Sequence, residues 1–163
     1  MFTGSSIFEP HLAPTRRFIC DLCGGEIKDV STAWGQWYGR DSETREGVEC
    51  NWNFLIVHGE VDSRKCTLGT QDGTRVGDFP INFLQSLDGF TYLLEFFVSR
   101  DVDPAELSRF LMRLFVPGYE QAYRYIGAAI AESLYELRSH RAFLTQSEIK
   151  NIIEARREGR LTL

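Results

Sequence analysis

"FICDLCGGEI", residues 18–27, holds Cys20 and Cys23 two residues apart, with Gly24 and Gly25 directly after them. Two thiols at this spacing are half of a tetrahedral metal site, a redox pair, or two ordinary cysteines. A redox pair of the thioredoxin kind normally opens a helix in a βαβ setting. Here a glycine pair and a strand pattern follow, which favours a metal knuckle. The glycines let the backbone turn beneath the sulfurs without a Cβ clash.

The other ligand candidates are Cys50, His58 and Cys66, with His11 and His140 further out. "AWGQWYG" (33–39) and "WNFLIVHG" (52–59) are aromatic and β-branched runs that read as strands. The polar "RDSETREGVEC" (40–50) joins them. The first strand runs away from the knuckle and the second returns, bringing His58 back to the cysteines. Cys50 begins the returning strand, so at ~3.3 Å per residue it lies roughly 26 Å from His58. Both cannot easily bind one ion if that strand is straight. Cys66 follows "GEVDSRK", a loop able to fold back. The geometry therefore favours Cys20, Cys23, His58 and Cys66, with Cys50 replacing His58 as the alternative. Four protein ligands leave no open position, so the expected cofactor is one structural Zn2+ per chain.

The chain has 163 residues, 43% of them hydrophobic and 13% aromatic, enough to build a core. Its net charge of −5 argues against non-specific binding to nucleic acid or an anionic membrane. The N-terminal residues do not read as a signal peptide, and no apolar run is long enough for a membrane span. A cytoplasmic location is expected, where cysteines serve as ligands or buried thiols rather than disulfides.

Further along, "CTLGT" (66–70) reads as a third short strand and "TQDGTRVGD" (70–78) as a turn-rich linker. From Pro80 the period becomes helical. "PINFLQSLDGFTYLLEFFVSR" puts Phe83, Leu84, Leu87, Phe90, Leu94 and Phe97 near one face, with a break or bend at Gly89. Asp103, Pro104 and Glu106 form an N-cap, first-turn proline and capping-box pattern. Leu107, Phe110, Leu111, Leu114 and Phe115 recur behind them at helical spacing. "PGYEQAYRYIGAAIAESLYELRSH" reads as the longest helix, striped by Tyr119, Tyr123, Ile126, Ile130, Leu134 and Leu137. Thr145 with Glu148 caps a last helix. The expected fold is α+β: an extended arm (1–17), a zinc-ribbon-like β-hairpin module (18–79) and an α-helical module (80–163) packed against it.

"FICDLCGGEI" followed by "AWGQW", "FLIVHG" and a later cysteine resembles a group of uncharacterised bacterial and phage-borne zinc-ribbon-like proteins. "FLQSLDGFTYLLEFF" and "VPGYEQAYRY" are similar to that group's Phe-Leu-x-x-x-Asp-Gly and Ile-Pro-Gly-Tyr-Glu-x-Ala-Arg helices. The resemblance spans roughly residues 18–157. It implies Cys20, Cys23, His58 and Cys66 as ligands and brings no established activity. It suggests a mobile-element origin, and with it an inhibitor or modulator of a host complex, including an anti-CRISPR type of role.

Other chemistry is sparse. The three histidines form no Ser-His-Asp or Cys-His arrangement that spacing supports. "GTQDGTRVG" lacks the Gly-Lys-Ser/Thr ending of a phosphate loop. Capping and turn formation account for Asp101 and Asp103, and the helix dipole for His140. Tyr119 and Tyr123 suit a core edge, although Tyr125 and Arg124 beside them offer stacking. Trp34, Trp37 and Trp52 suit either packing or a nucleic-acid platform, for which Arg16, Arg17, Arg64 and Lys65 are the candidate contacts. Residues 1–80 carry 8 Lys/Arg against 12 Asp/Glu, a poor start for a phosphate binder. The leading expectation is a non-catalytic, zinc-stabilised protein-binding or regulatory protein whose partner is another protein. A nucleic-acid-binding zinc ribbon is the alternative, and an enzyme the third reading.

Overall fold

The computed structural model describes residues 15–41, 43, 46, 48–59, 66–70, 73–99, 101–135 and 144–162. Most of the arm, His11, Arg64, Lys65, Leu137 and His140 lie outside them. The fold is α+β.

β1 (Phe18–Ile19) and β2 (Glu26–Ile27) form a small antiparallel pair around the cysteine turn. β3 (Ala33–Asp41) and β4 (Glu49–His58) form the expected hairpin. β5 (Arg75–Pro80) adds to the free side of β3, and β6 (Asp101–Val102) pairs parallel with β4. The order is β5-β3-β4-β6. Thus the stretch read as a linker at 70–78 runs into an edge strand. Arg75 to Gly77 are already paired with β3.

A register shift between Gln36 and Tyr38 carries Asn53 at a φ of 59°. Asn51 pairs with Gly39 and Ile56 with Gly35, so the shift brings these two β4 residues to the same face. That face receives the helices. A Cβ on Gly35 would lie 2.7 Å from Leu84 and 2.9 Å from Phe110, so the glycine is what lets two helices sit on the strand. Trp37 packs there against Phe54, Phe79 and Phe96.

The opposite face is covered by residues 66–70, which are not the expected strand. Side chains hold their backbone. Gln36 Oε1 accepts from Leu68 N–H at 2.9 Å, and the Tyr38 hydroxyl donates to Gly69 O at 3.0 Å.

The first helical stretch breaks before Gly89 rather than at it, into α1 (Ile81–Leu84) and α2 (Leu87–Ser99). A Cβ on Gly89 would stand 2.0 Å from Phe83 O, so this glycine serves close approach. On α2 the buried apolar side chains are Leu93 and Phe96. Leu87, Phe90, Leu94 and Phe97, the stripe marked by periodicity, are exposed.

α3 (Pro104–Phe115) starts as its sequence indicates, with Asp103 accepting from Ala105 N–H. It buries Leu107, Phe110 and Leu114. Glu106 closes no box on α3; it accepts from Asn53 N–H at 3.0 Å and ties α3 to the β4 bulge. Among the described residues, the stretch read as the longest helix holds two short ones instead, α4 (Tyr119–Tyr123) and α5 (Ile126–Ala131), separated by a turn at Arg124–Tyr125. Its stripe changes accordingly: Tyr119, Ala122, Tyr125 and Ala129 are buried, while Tyr123 and Ile130 are exposed. α6 (Gln146–Arg157) carries the Thr145–Glu148 capping box in both directions.

Among the described residues two apolar clusters result. One joins Phe18, Cys20, Ile27 and the sheet to Leu84, Leu93, Phe96, Leu107, Phe110 and Leu114. The other gathers α4, α5 and α6 around Tyr119 and Ile152. The clusters divide after α3.

Candidate metal centre

The knuckle is built by its own backbone. Gly24 N–H donates to Cys20 O, and Cys20 N–H to Gly25 O, both at 2.9 Å. Gly24 holds a φ of +70°, where a side chain is strained. Gly25 matters for space instead: a Cβ there would lie 3.3 Å from both Cys23 Sγ and His58 Cε1. Its N–H donates to Cys23 Sγ at 3.4 Å, an interaction that favours a thiolate.

The hairpin supplies the third group. Ala33 pairs with His58, so the end of β4 returns to the start of β3 beside the knuckle. Cys66 supplies the fourth. The ligand atoms of Cys20, Cys23, His58 and Cys66 all lie within 4.8 Å of one another. His58 Nδ1 is 3.5 Å from Cys23 Sγ. Metal–sulfur and metal–nitrogen bonds of ~2.3 and ~2.05 Å at a tetrahedral angle would set these atoms ~3.6 Å apart. The four side chains could therefore hold one metal ion. Cys50 does not join them. It pairs with Arg40 at the other end of the hairpin, its sulfur 3.8 Å from Asp101 Oδ2.

All four cysteines are free thiols. Burial, then hydrogen bonds with Cys23 and Cys20 and their charge, push the Cys66 thiol up to about 12. Sulfurs crowded in this way resist ionising together unless a cation stands between them.

Asp21, between the two cysteines, is a site residue that sequence reasoning passed over. Its N–H donates to Ile56 O at 2.8 Å, and its Oδ2 accepts from Ile56 N–H at 2.6 Å. The same Oδ2 receives Arg113 from α3 at 2.6 Å. Arg113 is buried and also grips Glu120 in bidentate fashion, at 2.7 and 2.9 Å, and Ile19 O at 3.2 Å. Glu120 in turn accepts from Ile19 N–H at 2.9 Å. Burial alone would lower the Arg113 pKa. The bonds to Glu120, its charge and that of Asp21 outweigh this and hold it above its ordinary value. The signal was present: Arg113 lies on the apolar face of α3, three residues past Phe110, where a charge requires a partner.

The arginines expected to contact nucleic acid are only partly placed. Arg16 and Arg17 are exposed. Arg17 borders a cavity of about 300 Å3 that Arg124 and Arg156 also line. The tryptophans make no shared platform: Trp37 is core, and Trp52 lies against Tyr38 with Arg40 over its ring. No helix among the described residues is long and apolar enough to cross a membrane.

Gly25→Ala should crowd both Cys23 and His58 and lower metal affinity about tenfold, the size of effect seen when ligand surroundings are disturbed. Gly24→Ala, with nothing within 4 Å of its Cβ, should cost about 1 kcal/mol of folding stability and leave the affinity close to wild type. Competition with a chromophoric chelator measures this, and equal affinities for the two variants would refute the assignment of roles.

No family model, no curated protein and no solved structure matches the chain.

Proposed function

We propose that Cys20, Cys23, His58 and Cys66 hold one structural zinc ion, and that the chain is a non-catalytic regulatory module that binds another protein. Three thiols and one imidazole in tetrahedral reach suit Zn2+ and fill its coordination, leaving no position for a substrate. Metal analysis of protein purified without added zinc should find about one zinc per chain. Cys66→Ser should lose it. A variant that keeps tight, stoichiometric zinc would point to an open position and a catalytic ion.

The observation that carries the binding role is the outer face of α2. Leu87 is 80% and Val98 86% exposed, and Phe90, Leu94 and Phe97 lie exposed between them. Their spacing makes one helical stripe. Soluble proteins rarely leave such a stripe open without use. Asp88 and Glu95 flank it and are exposed, and the whole chain carries −5. The fitting occupant is thus a protein that presents an apolar ridge edged by Lys or Arg, the helix-in-groove mode of recognition. A second copy of this chain would bring the same two carboxylates to the same rim. Selection from a displayed library of amphipathic helices should enrich apolar ridges with basic flanks, and Leu94→Glu should abolish their binding. Enrichment of acidic flanks, binding that survives Leu94→Glu, or dimerisation through this face in light scattering would each defeat the proposal.

Nucleic-acid binding is the second reading, favoured by Arg17, Arg124 and Arg156 around one cavity. The 12 acidic against 8 basic residues in positions 1–80 oppose it.

A further inference from the structure

Arg17, Arg124 and Arg156 come from three distant stretches of chain and line one cavity of about 300 Å3. Arg17 precedes β1, Arg124 lies in the turn between α4 and α5, and Arg156 sits in the last turn of α6. Like charges gathered at one opening repel unless an anion offsets them. Two carboxylates also belong to the wall, Glu26 and Glu120. Glu26 lies 3.8 Å from Arg17, so these two offset each other. Glu120 is 4% exposed and already engaged. Arg113 donates to both of its oxygens, and Ile19 N–H to Oε1.

Arg124 and Arg156 are left over. Arg156 lies over the Tyr125 ring, 5.2 Å from its centroid, and Tyr125 is a buried part of the same wall. This contact holds one guanidinium at the cavity. No carboxylate among the described residues pairs with Arg124 or Arg156. Two guanidiniums without a counter-ion therefore remain, and their forked N–H donors suit a carboxylate or a phosphate.

Charge and size choose between the anions. Two uncompensated positive charges match a dianion, and a phosphomonoester carries about −1.5 to −2 at neutral pH. The volume stands at the lower end of small-molecule sites, so the group is compact. A nucleic-acid strand offers one charge per phosphate and runs on past the cavity. There it meets positions 1–80, with 12 acidic against 8 basic residues. Screening confines the field of the arginines to about 8 Å at physiological salt. A compact dianion stays within that range.

We propose that this cavity binds a phosphomonoester dianion, held by Arg124 and Arg156 with Arg17 at its edge. The group arrives on a small free molecule or on a phosphorylated side chain. The proposal rests on neither the metal nor the outer face of α2.

The test is a proton–nitrogen correlation NMR titration of the full chain with glycerol 3-phosphate. It is run at constant ionic strength and about pH 7.5, above the second phosphate pKa of about 6. Saturable shifts are expected at the Ile19, Gln121 and Tyr125 amides. Neutral glycerol and the monoanion dimethyl phosphate should not saturate them over the same range. Arg124→Gln changes an exposed side chain and should weaken binding about threefold to tenfold. Glu26→Gln removes the carboxylate beside Arg17 and should tighten binding about twofold to threefold, a gain that a damaged fold cannot imitate. N-acetyl-O-phosphoserine-N-methylamide is run as a separate arm. Saturation by either phosphomonoester supports the proposal, and the tighter of the two identifies the source. Equal affinity for dimethyl phosphate, unchanged affinity in either variant, or tighter binding of an oligothymidylate without terminal phosphates would overturn it.

Discussion

Dialysis against a strong chelator is expected to unfold the knuckle, the sheet and helices α2 and α3 in one transition, leaving α6 partly protected. Metal binding in small zinc modules is worth about 10–16 kcal/mol, and most of it appears as folding energy. A domain of this size holds only about 5–15 kcal/mol of net stability, so if zinc is bound as proposed, the metal-free chain falls at or below the midpoint. The packing decides how far the loss spreads. Cys20 lies in the same cluster as Phe18, Ile27, Phe110 and Leu114, so releasing the knuckle uncovers α3. Asp21 adds a second link, since it holds both Ile56 and Arg113. The helices α4 to α6 have a cluster of their own. Hydrogen exchange read by mass spectrometry should show protection lost over 18–58 and 81–114 and retained over 146–157. A boundary near residue 80 predicts the contrary, with α2 and α3 still protected after chelation, and that result would refute the shared core.

The clustering of Cys20, Cys23, His58 and Cys66 was legible because it rests on short-range rules. Cys-x-x-Cys with a glycine pair makes a turn, and the length of an antiparallel hairpin returns His58 but not Cys50 to it. The starts of α3 and α6 were legible for the same reason, since Asp103 and Thr145 cap through neighbours in sequence. Reading failed where the deciding partner is distant. "RVGDFP" has a glycine, an aspartate and a proline, and becomes a strand only by pairing with β3. "CTLGT" looked like a strand, yet Gln36 and Tyr38 take up the backbone groups that a neighbouring strand would need. On α2, leucine and phenylalanine occupy both faces, so periodicity marks a stripe without saying which face is buried. Asp21 and Arg113 stand 92 residues apart, and no local pattern joins them.

Arg113, at the centre of that remote ion cluster, should also be a highly sensitive position outside the cysteine–histidine cluster. Arg113→Met is expected to destabilise the protein by about 3–5 kcal/mol, because it strands the buried Glu120 carboxylate and takes the cation from the partly exposed Asp21. The side chains of Arg113 and Glu120 are 7% and 6% exposed, so little solvent screening reduces the effect. For a domain of this length, that corresponds to a Tm lower by roughly 10–15 °C. The cause is separable from lost packing. Methionine keeps much of the apolar stem, so most of the loss should come from Glu120 and Asp21 left without a cation. Glu120→Gln in the Arg113→Met background removes one of the stranded charges and should recover part of the loss, whereas Glu120→Gln alone should destabilise. Calorimetry on the four proteins closes the cycle. Additive losses would show that the two residues act separately. A coupling of about 1 kcal/mol or more in the opposite sense is the expected result, and it would place the link between α3 and α4 in this ion pair rather than in the apolar contacts around it.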